Sequence, residues 1–295
     1  MNKKEFAERM KSSVSHALQK EVTVTEKLKI NGIYSYGIRI SEPDSNTGTT
    51  LYLEPFYEAF LDTDNWAGTV DYVLDFYQNH TPPESLDTEW LYDFEQVRPR
   101  LYYILVNHEA NEELLHEVPH TKFLDLAKIY YVQCPIGETN TGNILVRNEH
   151  LRDWGISGDE LDKTAEENTP RLYPASITCL TDETGLENLL GVPVELSREP
   201  LVPMFALSNT QRKHGASAVC YQKILDDFSR EVQDDLILLP SSLHEMLLIP
   251  LHKDDDIPSH KETVYDANRY LLEPSQFLSD NVYLFRRQSG QLVIA

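Results

Sequence analysis

The chain has 295 residues, of which 41% are hydrophobic and 10% aromatic, so it can bury a sizeable core and general disorder is excluded. Its formal net charge of −22 would repel nucleic-acid phosphates and anionic membranes. The densest basic pairs, Arg212-Lys213 and Arg286-Arg287, are too short to form a nucleic-acid-binding patch. Because the acidic excess is spread along the chain, we interpret it as a solvated surface rather than as a mimic of nucleic acid.

The cysteines and the apolar runs bear on the cellular compartment. Cys134, Cys179 and Cys220 lie far apart in apolar or strand-like settings, which is typical of free thiols in a reducing compartment. Residues 1–21 form an amphipathic pattern without the apolar segment of a signal peptide. No apolar run approaches the ~20 residues that a membrane-spanning helix needs. We therefore expect a cytoplasmic protein.

The first third of the chain predicts a helix, a hairpin and a second amphipathic helix. Two strand-like segments flank Asn31-Gly32, a pair typical of tight hairpin turns. Residues 51–61 begin as a strand and become helical. Residues 66–79 place apolar side chains on one face at the period of an α-helix. Those side chains are Val70, Val73, Leu74 and Tyr77.

The rest of the chain alternates strands and helices. Predicted strands cover residues 100–108, 125–134, 144–148, 171–180, 203–209, 215–221 and 235–240. Predicted helices cover residues 88–96 and 109–116, a segment from 150, a helix capped by Ser157 and ended by Pro170, and residues 223–233 and 262–272. A hairpin over 282–295 completes the pattern.

This order predicts an α/β or α+β fold with mixed sheets and packed helices. A strand–turn–strand–helix–strand unit occurs twice, about 80 residues apart, which suggests an internal structural repeat. We expect an N-terminal region over 1–181 and a C-terminal region over 202–295, joined by a proline-rich connection over 182–201, or one compact domain that includes both.

The segment HEVPH (116–120) has the spacing by which a helix presents two zinc-binding histidines and a glutamate base. Pro119 falls between the two histidines, His116 and His120. Proline lacks the N–H that the helix ladder needs and biases Val118 away from helical geometry. We therefore expect the turn to be broken and do not predict a zinc peptidase, although His116 and His120 remain the best metal candidates in the sequence.

The segment LPSSLHEMLLIP (239–250) contains the best candidates for hydrolytic chemistry. Ser241 or Ser242 could act as a nucleophile with His244 as its base and Glu245 nearby, but no nucleophile-elbow motif surrounds the serines. The spacing of Ser242 and Glu245 is also that of a capping box, so we expect these serines to cap a short helical turn.

Cys220 lies in the segment GASAVCY (215–221), just before a predicted helix. A helix N-terminus lowers the pKa of a thiol, so Cys220 could be reactive. It could then line the same hydrolytic site as Ser241 and Ser242. The alternation of small residues reads more simply as one buried face of a strand. The sequence contains no dinucleotide-binding, kinase or calcium-binding motif, and we predict no cofactor.

Several long segments in the same order resemble an uncharacterised bacterial family common in anaerobic Gram-positive bacteria. They are NEELLHEVPHTKFLDLAKIYY (111–131), HLRDWGISGDELDKTAEENTPRL (150–172), GASAVCY (215–221) and DLILLPSSLHEMLLIPL (235–251), and the likeness extends to the closing LSDNVYLFRR. The resemblance implies a full-length cytoplasmic protein rather than a fusion. It implies no activity, cofactor or catalytic residue.

These observations favour an acidic cytoplasmic module that binds another protein or regulates it, without catalytic activity. The alternative is a hydrolase of unrecognised type that uses the Ser241–Glu245 turn. We expect no direct binding to nucleic acid or membranes, and the sequence leaves the oligomeric state open.

Overall fold

The computed structural model describes residues 1–41, 48–80, 89–136, 140–181 and 202–295. The chain forms two compact units. The first comprises Met1–Glu89 with Pro135–Asn140, and the second comprises Trp90–Cys134 with Thr141–Ala295.

The described elements alternate between helices and strands along both units. The α-helices are α1 (Lys3–Leu18), α2 (Glu54–Thr63), α3 (Trp66–His80), α4 (Phe94–Val97), α5 (Glu112–Glu117), α6 (Asn148–Trp154), α7 (Gly158–Leu172), α8 (Ile224–Val232) and α9 (Ile257–Tyr270). The strands are β1 (Val22–Leu28), β2 (Tyr34–Ser41), β3 (Gly48–Tyr52), β4 (Leu101–Asn107), β5 (His120–Phe123), β6 (Leu126–Ile136), β7 (Asn140–Leu145), β8 (Ala175–Cys179), β9 (Phe205–Asn209), β10 (Leu236–Ser242), β11 (Glu245–Pro250), β12 (Tyr283–Arg286) and β13 (Gln291–Ile294). Short 3-10 helices cover Ile30–Gly32, Glu89–Tyr92, Arg98–Arg100, Glu109–Asn111, Gly215–Cys220 and Pro274–Gln276.

The first unit packs α1, α2 and α3 on a three-stranded sheet of order β1-β2-β3. The predicted hairpin is confirmed, since β1 and β2 pair antiparallel from Val22–Ile40 to Leu28–Tyr34. The predicted helical face of α3 is also confirmed, because Val73 and Tyr77 are buried in the same cluster as Phe6 of α1.

The second unit contains a six-stranded sheet of order β13-β12-β10-β11-β9-β8. Val264 of α9 packs against one face of this sheet, in a buried cluster with Ile237, Ile249 and Leu284. Phe228 of α8 contacts Phe205 of β9 edge to face, with ring centroids 4.9 Å apart. The predicted final hairpin, β12–β13, forms one edge of the sheet.

A second sheet of the same unit has the order β4-β6-β5, with β7 also paired to β6. Every residue of the edge strand β4 is buried. Side-chain hydroxyls accept two of its outward-pointing N–H groups. Tyr103 N–H donates to Thr169 Oγ1 of α7 at 3.1 Å, and Leu105 N–H donates to Ser217 Oγ at 2.9 Å. These two donors of the edge are therefore satisfied without a further strand.

The 3-10 helix Gly215–Cys220 connects the two sheets of the second unit. Its Ser217 accepts the N–H of Leu105 on β4, and its Ala216 N–H donates to Leu243 O between β10 and β11. The sequence predicted a strand here, and that prediction is wrong. The small residues alternate as they would in a strand, but they serve instead to let a tight helix lie between two backbones. The second copy of the suggested repeat consequently lacks its second strand.

The α+β prediction is confirmed, and the strand pairs with a described register are all antiparallel. The expected connection over 182–201 lies outside the described residues. The strands on either side of it, β8 and β9, pair in one sheet, and the two compact units divide near Glu89. In the described part of the chain, no helix has the length and apolarity needed to cross a membrane.

Candidate functional site

The two histidines of HEVPH lie on different elements. His116 is in the last turn of α5, which ends at Glu117, and Val118 is extended at φ −121° and ψ 147°. His120 begins β5, where its ring meets that of His108 edge to face with centroids 6.1 Å apart. The helix therefore breaks before Pro119, as the sequence predicted. Over the described ranges, no group of three or more His, Cys, Asp or Glu side chains is arranged to hold a metal ion.

The predicted helical turn at Ser241–Glu245 is instead the tip of a β-hairpin. β10 continues through Ser242, and Ser242 pairs with Glu245 of β11. The capping prediction is wrong because the strand ladder extends past Pro240, with an irregularity in register between Pro240 and Ser242. Ser242 Oγ accepts the N–H of His244 at 3.0 Å, and Ser241 Oγ donates to Glu245 Oε1 at 3.3 Å.

The ring of His244 is hydrogen-bonded to the backbone of His214. Its Nδ1 accepts the N–H of His214 at 3.1 Å, and its carbonyl accepts the Ser208 hydroxyl at 2.8 Å. A neutral ring that accepts at Nδ1 carries its proton on Nε2, so it has no free acceptor for a serine proton. Ser242 is moreover buried, with 8% of its surface exposed. A hydrolase at this turn stays a prediction, and in the described hairpin the His244 ring makes no hydrogen bond to Ser241 or Ser242.

Cys220 lies at the end of the buried 3-10 helix. Burial raises the pKa of its thiol to about 12, and the charge of Lys128 only partly offsets this effect. Asp162 and Glu166 raise the pKa further. A thiol in these surroundings is not the thiolate that nucleophilic chemistry requires. The charged groups that act on it come from β6 and α7 and not from the Ser241–Glu245 turn.

A polar cluster on β6 and α7 was not predicted from the sequence. Lys128 of β6 is 5% exposed, and its Nζ donates to Glu166 Oε1 at 2.5 Å and to Asp162 Oδ1 at 3.3 Å. Asp162 also accepts the Tyr130 hydroxyl at 2.8 Å. Burial opposes the charged ammonium, but the hydrogen bond to Glu166 and the charge of Asp162 outweigh it, so the pKa of Lys128 is raised. A permanently protonated lysine serves as a structural cation rather than as a nucleophile or base.

A second unpredicted cluster surrounds Asp125, in the turn between β5 and β6. Oδ2 of Asp125 accepts Ser279 Oγ at 2.7 Å and Asn281 Nδ2 at 3.0 Å, and Oδ1 accepts the Tyr283 hydroxyl at 2.7 Å. The carboxylate lines an open cleft of about 500 Å³ together with His108 and other polar side chains. Neighbouring donors of the fold occupy the lone pairs of the Asp125 carboxylate. We therefore interpret the cluster as a structural contact between the β4-β6-β5 sheet and the segment before β12.

The outer edge of β13 differs from both clusters because its backbone groups have no partner strand in the described residues. Val293 and Ile294 are 39% and 41% exposed. Ala295 N–H donates to Val282 O at 2.9 Å, so the backbone of alternate residues, including Val293, faces β12. The N–H and C=O groups of Leu292 and Ile294 therefore point outward.

Of the two clusters that the sequence did not predict, only the Lys128 cluster has a local signal. That signal is a lysine inside the apolar strand LAKIYYV, since a lysine in such a run needs a buried partner. The aspartate of FLDLAK carries no such signal, because its partners lie 154 to 158 residues away.

Together these features define an α+β protein in which the polar side chains of the motifs mainly join elements of the fold. The chain belongs to a family of unknown function, DUF5688, whose model matches residues 3–287. The match confirms the resemblance to an uncharacterised family over nearly the whole chain. No curated protein and no solved structure matches the chain significantly.

Proposed function

We propose that this protein is a non-catalytic interaction module that binds an extended protein segment along the outer edge of β13. The observation that carries the proposal is the open edge itself, with outward-facing backbone groups at Leu292 and Ile294 and exposed apolar side chains at Val293 and Ile294. An extended chain added to such an edge gains main-chain hydrogen bonds and side-chain contacts on both faces.

Three other sheet edges, those of β1, β4 and β5, carry features that oppose such pairing. The edge strand β1 carries the charged residues Glu26 and Lys27, and β5 carries Lys122. On β4 the outer N–H groups of Tyr103 and Leu105 are taken by hydroxyls. Proteins commonly defend exposed edges with charges or with covering side chains. The uncharged sequence QLVI of β13 has neither defence, which favours a pairing role.

The candidate catalytic groups support the non-catalytic part of the proposal. His244 Nδ1 is occupied by a backbone N–H, and the high pKa of Cys220 keeps its thiol protonated. Lys128 is held by carboxylates, which leaves no lone pair for covalent chemistry.

We place the protein in the reducing cytoplasm of a bacterial cell. Cys134, Cys179 and Cys220 form no disulfide, and this state persists in a reducing compartment. The charge of −22 would also keep the protein soluble and apart from nucleic acid.

The proposal is tested by photocrosslinking in cells of the organism of origin. A benzophenone amino acid placed at Val293 should give a discrete adduct with a protein, identified by mass spectrometry. The matched control is the same probe at Leu61, an apolar residue of α2 that is 59% exposed. An adduct that forms at position 293 and not at position 61 supports the proposal. Equal labelling at both positions, or none at position 293, contradicts it.

A further inference from the structure

We infer that the segment bound at the β13 edge is the β13 of a second copy of this chain, paired antiparallel about a two-fold axis at Val293. The inference rests on the proposed function, since it names the partner of that edge. It would extend the six-stranded sheet of the second unit into a continuous sheet across two molecules.

The backbone pattern of β13 fixes the register of this pairing. Leu292 and Ile294 point their N–H and C=O groups outward, because Val293 and Ala295 face β12. Two copies that meet edge to edge therefore exchange hydrogen bonds between Leu292 of one copy and Ile294 of the other, twice by symmetry. Val293 then lies opposite its own copy, in the closely spaced type of cross-strand pair.

The side chains suit this register. Val293 pairs with Leu284 and lies on the face of the sheet covered by α9, so two Val293 side chains meet there. Leu292 and Ile294 lie on the opposite face and become cross-strand neighbours of the same residues in the second copy. Each side of the pairing would thus match an apolar side chain with an apolar side chain, and the symmetric interface is self-complementary.

The closing hairpin itself adds no acidic charge to an interface between two copies. The chain has 48 acidic residues, and none of them lies in residues 281–295. That segment carries Arg286 and Arg287 instead, near the turn of the hairpin. In an antiparallel pair the two turns lie at opposite ends, so these arginines do not face each other. A strand without carboxylates matters for self-association because a chain of charge −22 as a whole repels a second copy of itself.

The strand contributes only four residues, so the interface is small and the dimer should be weak and in rapid exchange. We expect the purified protein to change from monomer to dimer mass in light scattering and sedimentation between micromolar and millimolar concentration. Val293→Lys puts two ammonium groups opposite each other and should raise the dimer dissociation constant by about tenfold or more.

A charge-pair experiment isolates the two-fold register. At a concentration where the wild type is dimeric, Val293→Lys and Val293→Glu should each be mainly monomeric. An equimolar mixture should restore the dimer, because position 293 of one copy faces position 293 of the other. Leu61→Lys and Leu61→Glu are the matched controls and should leave the wild-type association unchanged. Leu292→Pro removes an outward N–H without touching the β12 ladder and should also abolish the dimer.

Several results would overturn the inference. These are a wild-type protein that remains monomeric at millimolar concentration, a Val293→Lys variant with the wild-type dissociation constant, or a Lys–Glu mixture that associates no better than either variant alone. Circular dichroism and hydrogen exchange of β12 identify any variant that loses the hairpin. If a variant at position 293 does so, the dimerisation of wild type is compared with that of Leu292→Pro instead. A monomeric protein that still gives a crosslink to a different protein at position 293 rejects self-pairing and leaves the proposed function standing.

Discussion

The Tyr283 hydroxyl donates a 2.7 Å hydrogen bond to Oδ1 of Asp125, which ties β12 to the turn between β5 and β6 across 158 residues of sequence. The other carboxylate oxygen accepts Ser279 and Asn281 from the segment before β12. Burial and the nearby carboxylate both raise the pKa of Tyr283, so its hydroxyl remains the donor throughout the physiological range. One acceptor therefore anchors the closing hairpin to a separate sheet of the second unit.

Asp125→Ala should lower the free energy of unfolding by about 2–4 kcal/mol, because it removes a charged acceptor and leaves buried donors unpaired. Tyr283 and Ser279 are fully buried, so their hydroxyls depend on the Asp125 carboxylate as an acceptor in the folded state. Tyr283→Phe removes one donor and should cost about 1–2 kcal/mol. Urea denaturation measures both values. Asp266→Ala, at an exposed position, is the control. If Asp125→Ala lowers the free energy of unfolding as little as Asp266→Ala does, the Asp125 contacts do not stabilise the fold.

The sequence predicted elements whose determinants are local. The apolar face of α3, the hairpin at Asn31-Gly32 and the break of the helix before Pro119 follow from side-chain period and backbone sterics within a few residues. These features appear in the structure close to their predicted bounds.

Features set by distant partners could not be predicted in this way. GASAVCY has the alternation of a strand, yet it is a 3-10 helix because Ser217 is needed at the edge of β4 and Gly215 is needed against β9. Ser242 and Glu245 have the spacing of a capping box, but the pairing of β10 with β11 makes this segment the tip of a hairpin. The Lys128 and Asp125 clusters likewise depend on contacts that no local pattern encodes.

Lys128 supplies a second test of the fold. Lys128→Met should cost about 3–5 kcal/mol of stability, because it leaves Asp162 without its buried cation. The Asp162 side chain is 20% exposed, whereas that of Glu166 is 53% exposed. Glu166→Gln should therefore cost less than about 1 kcal/mol, as water can replace its contact. Denaturant titrations of the two variants test this order, and equal losses would contradict it.

Gly215 offers a test with a matched control. A Cβ at this position would lie 2.6 Å from Asn209 N and 2.6 Å from His244 O, both backbone atoms that cannot move independently. Gly215→Ala should therefore destabilise the protein by about 1–3 kcal/mol or more. Gly158, at the start of α7, has open space around the equivalent position. Gly158→Ala should be neutral or stabilising by up to about 1 kcal/mol, since alanine restricts the unfolded chain. Thermal denaturation distinguishes the two, and similar melting temperatures would contradict the close approach.

The stability of the fold should depend on pH through His214, which lies next to Gly215. Burial, reinforced by the neighbouring His244 and Lys213, lowers the pKa of His214 from 6.5 to about 4. The ring of His214 stacks on that of His244 at a centroid distance of 5.6 Å. The folded state therefore resists the proton that the unfolded state accepts.

The sign of the effect follows from this difference. Above pH 6.5 neither state binds the proton and the full stability is present, whereas between pH 6.5 and 4 the unfolded state alone binds it, so stability falls as the pH falls. A shift of this size corresponds to about 3 kcal/mol by pH 4. His214→Gln should flatten that part of the stability profile relative to wild type, and the exposed His252→Gln should not. Unfolding free energies from urea titrations across this range test the expectation, which fails if both variants retain the wild-type slope.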